Sequence, residues 1–293
     1  MSKGERDAPL ESAAVSAPPA PPPLAGKVAL VTGGGRGLGR GYALRLGRLG
    51  AAVAVADLNL KGAVEADEAS SDVIFELEGA GTAAIGLEVD VGDRTAVEGM
   101  TERVVDRFGA LDVLVCNAGS MGALERSSAT TASEDRLRPI LETNLLGTIN
   151  CCQAAAAHLK AGGWGKVVNV SSLAAIRPQA GGAFAPYVTA KAAVIGYTLS
   201  LADELAPHGV TVNAIAPGSI DTPLTRGLFS DMDDPEAHAR VPLGRFGTVA
   251  DVAGAVEFLC TPLSDYVTGQ VICVDGGLSI TDALHGSGVD GAE

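Results

Sequence analysis

Basic and aromatic residues are what this chain holds least of: 21 Lys and Arg stand against 35 Asp and Glu, and aromatics are 4% of 293 residues. The formal charge of −14, with no Lys/Arg cluster anywhere, excludes a nucleic-acid surface or an anionic membrane as the main partner. No apolar window reaches the ~18 residues of a membrane span without a Gly or a charge. The N-terminal stretch lacks the apolar core of a secretory signal. Cysteines are few: Cys116, Cys151, Cys152, Cys260 and Cys273 are odd in number, lack metal-ligand spacing and lie in apolar runs, while the four histidines are scattered. They read as buried thiols of a reducing compartment, so a cytoplasmic location and no metal site are expected.

What the chain has in plenty is small and aliphatic. With 47% hydrophobic residues and 38 glycines it fits an α/β sheet protein with many tight turns. β-Branched runs alternate with Ala/Leu-rich helical stretches, the pattern of a parallel sheet with crossover helices. The strands are expected at Lys27–Thr32, Ala52–Asp57, Ala83–Val89, Leu111–Cys116, Lys166–Ser171, Val210–Ile215 and Gln270–Val274. Helices include Leu38–Leu49, Arg94–Phe108 and Tyr187–Leu205. Residues 1–25 read as a disordered Pro/Ala-rich leader, 26–278 as a single Rossmann-like doubly wound domain of about seven parallel strands with helices on both faces, and 279–293 as a loose tail. Ligands of such sheets bind beyond the carboxyl ends of the strands, near the point where strand order reverses. The residues there are Gly33-Gly34-Gly35, Leu58-Asn59, Asp90-Val91, Asn117-Ala118-Gly119, Ser172 and Ala216-Pro217-Gly218.

The first of these turns reads Thr32-Gly33-Gly34-Gly35-Arg36-Gly37-Leu38-Gly39 between a strand and a helix. Glycines let the backbone approach a pyrophosphate, and the helix N-terminus offers free N–H groups. The spacing fits neither G-x-G-x-x-G, because Tyr42 takes the last position counted from Gly37, nor the P-loop, because Arg40-Gly41 follows Gly39. Asp57 ends the second strand, 24 residues after Gly33. There a carboxylate accepts hydrogen bonds from a ribose 2′-OH and repels a 2′-phosphate, which favours NAD. Arg36 could pair with a 2′-phosphate and keeps NADP as the second choice.

Tyr187 and Lys191 stand four residues apart on one face of a predicted helix. A Tyr of ordinary pKa about 10 needs roughly three units of phenolate stabilisation to act as a base near pH 7, and a nearby ammonium supplies part of it. Ser171-Ser172 closes the fifth strand, where a hydroxyl can hold a substrate oxygen. A one-residue shift in a strand reverses its facing, so either serine could point into the site. Asn144 lies in a helical stretch for which Asn is poorly suited.

Together these residues resemble the shorter, single-domain form of the short-chain dehydrogenase/reductase family over about Gly26 to Gly277. The resemblance implies that Tyr187 is the general acid/base, that Lys191 lowers its pKa and binds the nicotinamide ribose, that Ser172 polarises the substrate oxygen, and that Asn144 anchors a water in a proton relay. It also implies that Asp90 and Val91 contact adenine, that Asn117, Ala118 and Gly119 line the cofactor cleft, and that Ile220 and Thr222 hold the carboxamide. Thr32, Gly33, Arg36, Gly37, Leu38, Gly39, Leu58, Pro217 and Gly218 complete the cofactor set. The implied chemistry is hydride transfer between NAD(H) and a small-molecule secondary alcohol or ketone, in a homotetramer. Two departures stand out: fifteen residues separate Ser172 from Tyr187, about two beyond the family's usual spacing, and the stretch from Asp57 to Asp90 is longer than usual. The segment from Thr222 to Arg245, with Leu224, Leu228, Phe229 and Met232, reads as a lid over an apolar pocket. A nucleotide-binding sensor or scaffold without turnover is the alternative. An epimerase or dehydratase acting on a nucleotide sugar fits less well, since only about seventy residues follow Pro223.

Overall fold

The computed structural model describes residues 20–60, 72–121, 129–178, 182–228 and 234–281. Its strands are β1 (Val28–Thr32), β2 (Ala52–Asp57), β3 (Ala84–Glu88), β4 (Val113–Cys116), β5 (Gly165–Val170), β6 (Val210–Pro217) and β7 (Val271–Val274). They form one seven-stranded sheet in the order β3-β2-β1-β4-β5-β6-β7, and every neighbouring pair is parallel. The expected strands are all present, with ends displaced by at most two residues. The helices are α1 (Gly37–Arg48), α2 (Val73–Gly79), α3 (Arg94–Phe108), α4 (Glu134–Leu141), α5 (Gly147–Ala161), α6 (Leu173–Ile176), α7 (Ala185–Leu205), α8 (Pro223–Leu228), α9 (Pro235–Ala239) and α10 (Val249–Cys260).

Both sheet faces are covered, and β1 shows why its sequence is an unbroken apolar run. Val28 and Leu30 enter one core with Val97, Met100 and Val104 of α3, Cys152 of α5 and Leu205 of α7. Ala29 and Val31 enter the other with Tyr42 and Leu46 of α1 and Val252 and Val256 of α10. A strand buried on both sides has no polar face to show. Each fully buried Leu or Val contributes on the order of 1.5–3 kcal/mol relative to exposure. Helix ends follow local chemistry: Asp93 caps α3 by accepting from Ala96 N at 3.1 Å, and Gly109, at φ 83, ends it.

Three expectations need adjustment. The last residues of the supposed leader belong to the fold, because Leu24 is fully buried and its N–H donates to Leu49 O at 2.9 Å; residues 1–19 lie outside the described residues. Of the supposed loose tail, 279–293, the first residues belong to a short 3-10 turn, Leu278–Ile280, bonded to Arg177, and residues 282–293 lie outside the described residues. Four cysteines are buried free thiols, whereas Cys273 on the edge strand β7 is exposed. Of the long acidic connection, α2 holds the C-terminal part and residues 61–71 lie outside the described residues. No described helix is long and apolar enough to cross a membrane.

Candidate active site

Strand order runs outward in opposite directions from β1 and β4, so the switch point lies between them. A cleft of about 1980 Å³ opens at that edge, lined by residues from the carboxyl ends of β1, β2, β4, β5 and β6. The glycine loop is tied to the end of β2: Gly34 N donates to Ala56 O at 3.1 Å and Gly35 N to the Asp57 carboxylate at 2.9 Å. Asn117 ties it to β4, donating through Nδ2 to Thr32 O at 3.1 Å and Gly33 O at 2.9 Å. Gly33, at φ +62, has room for no side chain, since a Cβ would lie 2.8 Å from Ala118 Cα.

Nearly all the expected cofactor residues line this cleft: Gly33, Arg36, Gly37, Leu38, Asp57, Leu58, Asp90, Val91, Asn117, Ala118, Gly119, Pro217, Gly218, Ile220 and Thr222. Thr32 and Gly39 are not among its lining and act one layer beneath. Thr32 Oγ1 accepts from Asn117 N and Ala118 N, each at 3.1 Å, and so fixes the β4 turn. Gly39 permits close helix–loop approach, since a Cβ there would stand 2.1 Å from Gly33 O. The cleft therefore fits a dinucleotide: close-approach glycines, an open helix start, and a carboxylate at the tip of β2.

Asn144, Ser172, Tyr187 and Lys191 line the same cleft. Asn144 sits on a π-helical turn, Glu142–Leu146, between α4 and α5; single π turns inside helices often mark functional sites. Its Nδ2 donates to Ser120 O at 2.7 Å and Ile140 O at 2.9 Å, while its Oδ1 is buried without a hydrogen-bond partner. A Cβ on Gly119 would lie 2.7 Å from that Oδ1 and 3.3 Å from Lys191 Nζ. Glycine thus lets an unsatisfied buried acceptor and the Lys191 ammonium approach the backbone closely at the cleft wall.

Both serines border the cleft, but the Ser171 hydroxyl is committed to Lys191 O, to which it donates at 2.8 Å. Ser172 lines the cleft, accepts from Ala174 N at 3.2 Å as the cap of α6, and stands beside the Tyr187 phenol. Burial pushes the Tyr187 phenol above its usual range, and the Ser172 contact pulls it partly back. Burial draws Lys191 down to about 8, an effect Cys116 partly opposes. Lys191 Nζ donates to Val170 O at 2.8 Å and lies 5.8 Å from the centre of the Tyr187 ring.

The loop of Ala174 to Pro186 was expected to line the pocket, and Arg177 and Phe184 of it do, but two features of this wall were not foreseen. Phe184, at φ 61, is the only described non-glycine residue with positive φ, and its carbonyl accepts from Val188 N at 2.9 Å to open the helix carrying Tyr187. A phenylalanine carries no signal for a left-handed backbone, which costs it roughly 1–2 kcal/mol. The second is Arg177 with the turn at Leu278–Ile280, which also lines the cleft. Between Ser172 and Tyr187, residues 179–181 lie outside the described residues, as do Phe229 and Met232 of the expected lid. Among the described residues no His, Cys, Asp and Glu side chains converge to hold a metal ion.

A dinucleotide cleft at the switch point, with a phenol, an ammonium, a hydroxyl and an amide opening into it, defines a nicotinamide-dependent oxidoreductase. Comparisons with known proteins narrow the class. The family profile described as Enoyl-(Acyl carrier protein) reductase matches residues 33–279. The chain is 46% identical over 263 residues to cyclohexanol dehydrogenase of Rhodococcus sp. (strain TK6), covering 88% of this chain and 97% of that one. It is 39% identical over 252 residues to 3-oxoacyl-(acyl-carrier-protein) reductase FabG of Staphylococcus aureus, covering 86% and 98%. The crystal structure of a short-chain type dehydrogenase/reductase from Mycobacterium marinum superposes with a TM-score of 0.79 at 32% identity, covering 88% and 97%. The chain belongs to the short-chain dehydrogenase/reductase family, as an oxidoreductase acting on CH–OH groups with NAD(P).

Proposed function

We propose that this protein is an NAD-preferring dehydrogenase that interconverts a largely apolar secondary alcohol and its ketone. The observation that carries the reading is the convergence of Tyr187, Ser172 and Lys191, with Lys191 Nζ 5.8 Å from the centre of the Tyr187 ring, in the cleft that Asp57 also lines. A substrate oxygen held between Ser172 Oγ and Tyr187 is positioned to lose its proton to the phenolate as the alcohol is oxidised, or to gain it on reduction. When bound, the nicotinamide ring supplies the hydride acceptor or donor. Lys191 stabilises the phenolate electrostatically, and the open acceptor of Asn144 holds a water by which the proton can leave. Asp57, already fixed by Gly35 N, leaves its second oxygen for a ribose hydroxyl and opposes a 2′-phosphate. Leu173, Ala174, Phe184, Val188 and Leu224 supply an apolar wall for the substrate, in keeping with a relative named for cyclohexanol. Free thiols suit a reducing compartment such as the cytoplasm, and a homotetramer is the expected assembly.

The test is to follow reduced-cofactor absorbance with NAD or NADP over a panel of secondary alcohols. NAD should give the higher kcat/KM, and neutral apolar alcohols should outrun phosphorylated ones. Tyr187→Phe should lower kcat by about 10²–10⁴-fold. Tight NAD binding with no turnover of any alcohol or ketone would support the sensor reading instead.

A further inference from the structure

The substrate end of the cleft is walled by a stretch of chain that contains none of the catalytic motif. Leu278, Ile280 and Thr281 line the cleft, and so does Arg177, which follows α6. Asp275 shapes the turn, its carboxylate accepting from Gly277 N at 3.0 Å and Ser279 N at 2.7 Å. The two glycines that open this turn have positive φ, 62 at Gly276 and 93 at Gly277, and lie against Val241 and Pro242. A Cβ at Gly276 would stand 2.7 Å from Val241, and one at Gly277 would stand 2.9 Å from Pro242. On the other side Arg177 Nη1 donates both to the Leu278 carbonyl and to Thr281 Oγ1, the latter at 2.6 Å. The guanidinium thus joins the substrate loop to the turn by charge-assisted hydrogen bonds. Ile280 stands at the cleft rim, where it lines the cleft with 84% of its surface exposed.

We propose that Arg177 is a specificity-determining residue: it latches the 278–281 turn, which Gly276 and Gly277 seat against Val241 and Pro242, and the latched Ile280 sets the upper size of the alcohol admitted. This rests on the oxidoreductase reading above. Loosening the latch leaves the nicotinamide end untouched and widens the substrate end.

The experiment uses full-length protein as wild type, Arg177→Met and Thr281→Val. It measures kcat/KM for cyclohexanol and for 4-tert-butylcyclohexanol, KM for NAD, and amide hydrogen exchange at residues 278–281. Arg177→Met should speed exchange in the turn and raise the bulky-to-small kcat/KM ratio by about ten-fold or more, the scale on which a pocket discriminates a methylene. KM for NAD should hold. Thr281→Val, which removes one acceptor, should move the ratio the same way by less. An unchanged ratio, or an equal loss for both alcohols, overturns the specificity role. Unchanged exchange overturns the latch itself. If the wild type oxidises no alcohol with either cofactor, the oxidoreductase reading has failed and the size selection falls with it, while exchange still decides the latch.

Discussion

Lys191 shows how the same residue is costly to the fold and useful to the site. Burial lowers its pKa from 10.5 to about 8, so the folded protein binds its proton less tightly than the unfolded chain. Between pH 8 and 10.5 the unfolded chain carries the extra proton, and stability should rise with pH across that window; below it the full cost of the buried ammonium is present. Urea unfolding from pH 7 to 10 checks this, because Lys191→Met should remove the rise. The same variant takes a cation from beside the Tyr187 phenolate, which raises the phenol's pKa. The acid limb of kcat/KM for alcohol oxidation should therefore move to higher pH, and an unmoved limb would separate Lys191 from the base. That Tyr187, Lys191 and Ser172 line one cleft was legible because strand ends and helix starts of a parallel sheet meet at one edge. Thr32 and Gly39 were legible only as members of a motif. Their places beneath the cleft depend on two hydrogen bonds and one close approach that spacing does not reveal.

Elements place these residues, and the best-capped helix of the body stands behind the cofactor loop. α10 packs against α1: a Cβ on Gly41 would come 2.1 Å from Val249 Cγ1, so α1 lacks a side chain where α10 begins. That start is a reciprocal cap. Thr248 Oγ1 accepts from Asp251 N at 3.2 Å, and the Asp251 carboxylate accepts from Thr248 N at 2.7 Å. Arg245 beside Asp251, together with the Thr248 N–H and hydroxyl, holds that carboxyl well below the usual carboxylate range. Its stabilising effect is present at neutral pH and is lost as pH falls below about 4 towards its depressed value. Thr248→Ala should cost about 1 kcal/mol, read as a lower urea midpoint with unchanged slope. The strands were legible to within two residues because parallel strands buried on both faces must be apolar throughout. The π turn at Asn144 was not, because an extra residue in a helical turn leaves no compositional trace, only an Asn in an awkward place. Phe184 was not, because its left-handed backbone is imposed by the loop it closes.

At the scale of the whole molecule, the ends of the domain were the least legible part, since both are fixed by contacts distant in sequence. Leu24 belongs to the body because it reaches the end of α1, and Thr281 because Arg177 reaches it. What the body leaves exposed bears on assembly. Leu146 on the π turn is 46% exposed and Leu199 on α7 is 50% exposed, on the elements that hold Asn144 and Tyr187. β7 ends the sheet with Val271, Ile272 and Val274 only partly covered and Cys273 exposed. An apolar strand with one open edge invites pairing and is normally covered. Two such surfaces on one chain suit two kinds of contact, and two isologous contacts generate a closed tetramer. Light scattering on sized protein should give four times the chain mass. Leu199→Asp, which puts a charge on the helical surface and leaves β7 alone, should reduce that to a dimer. A monomeric wild type would refute the assembly, and an unaltered tetramer in the variant would remove α7 from its interface.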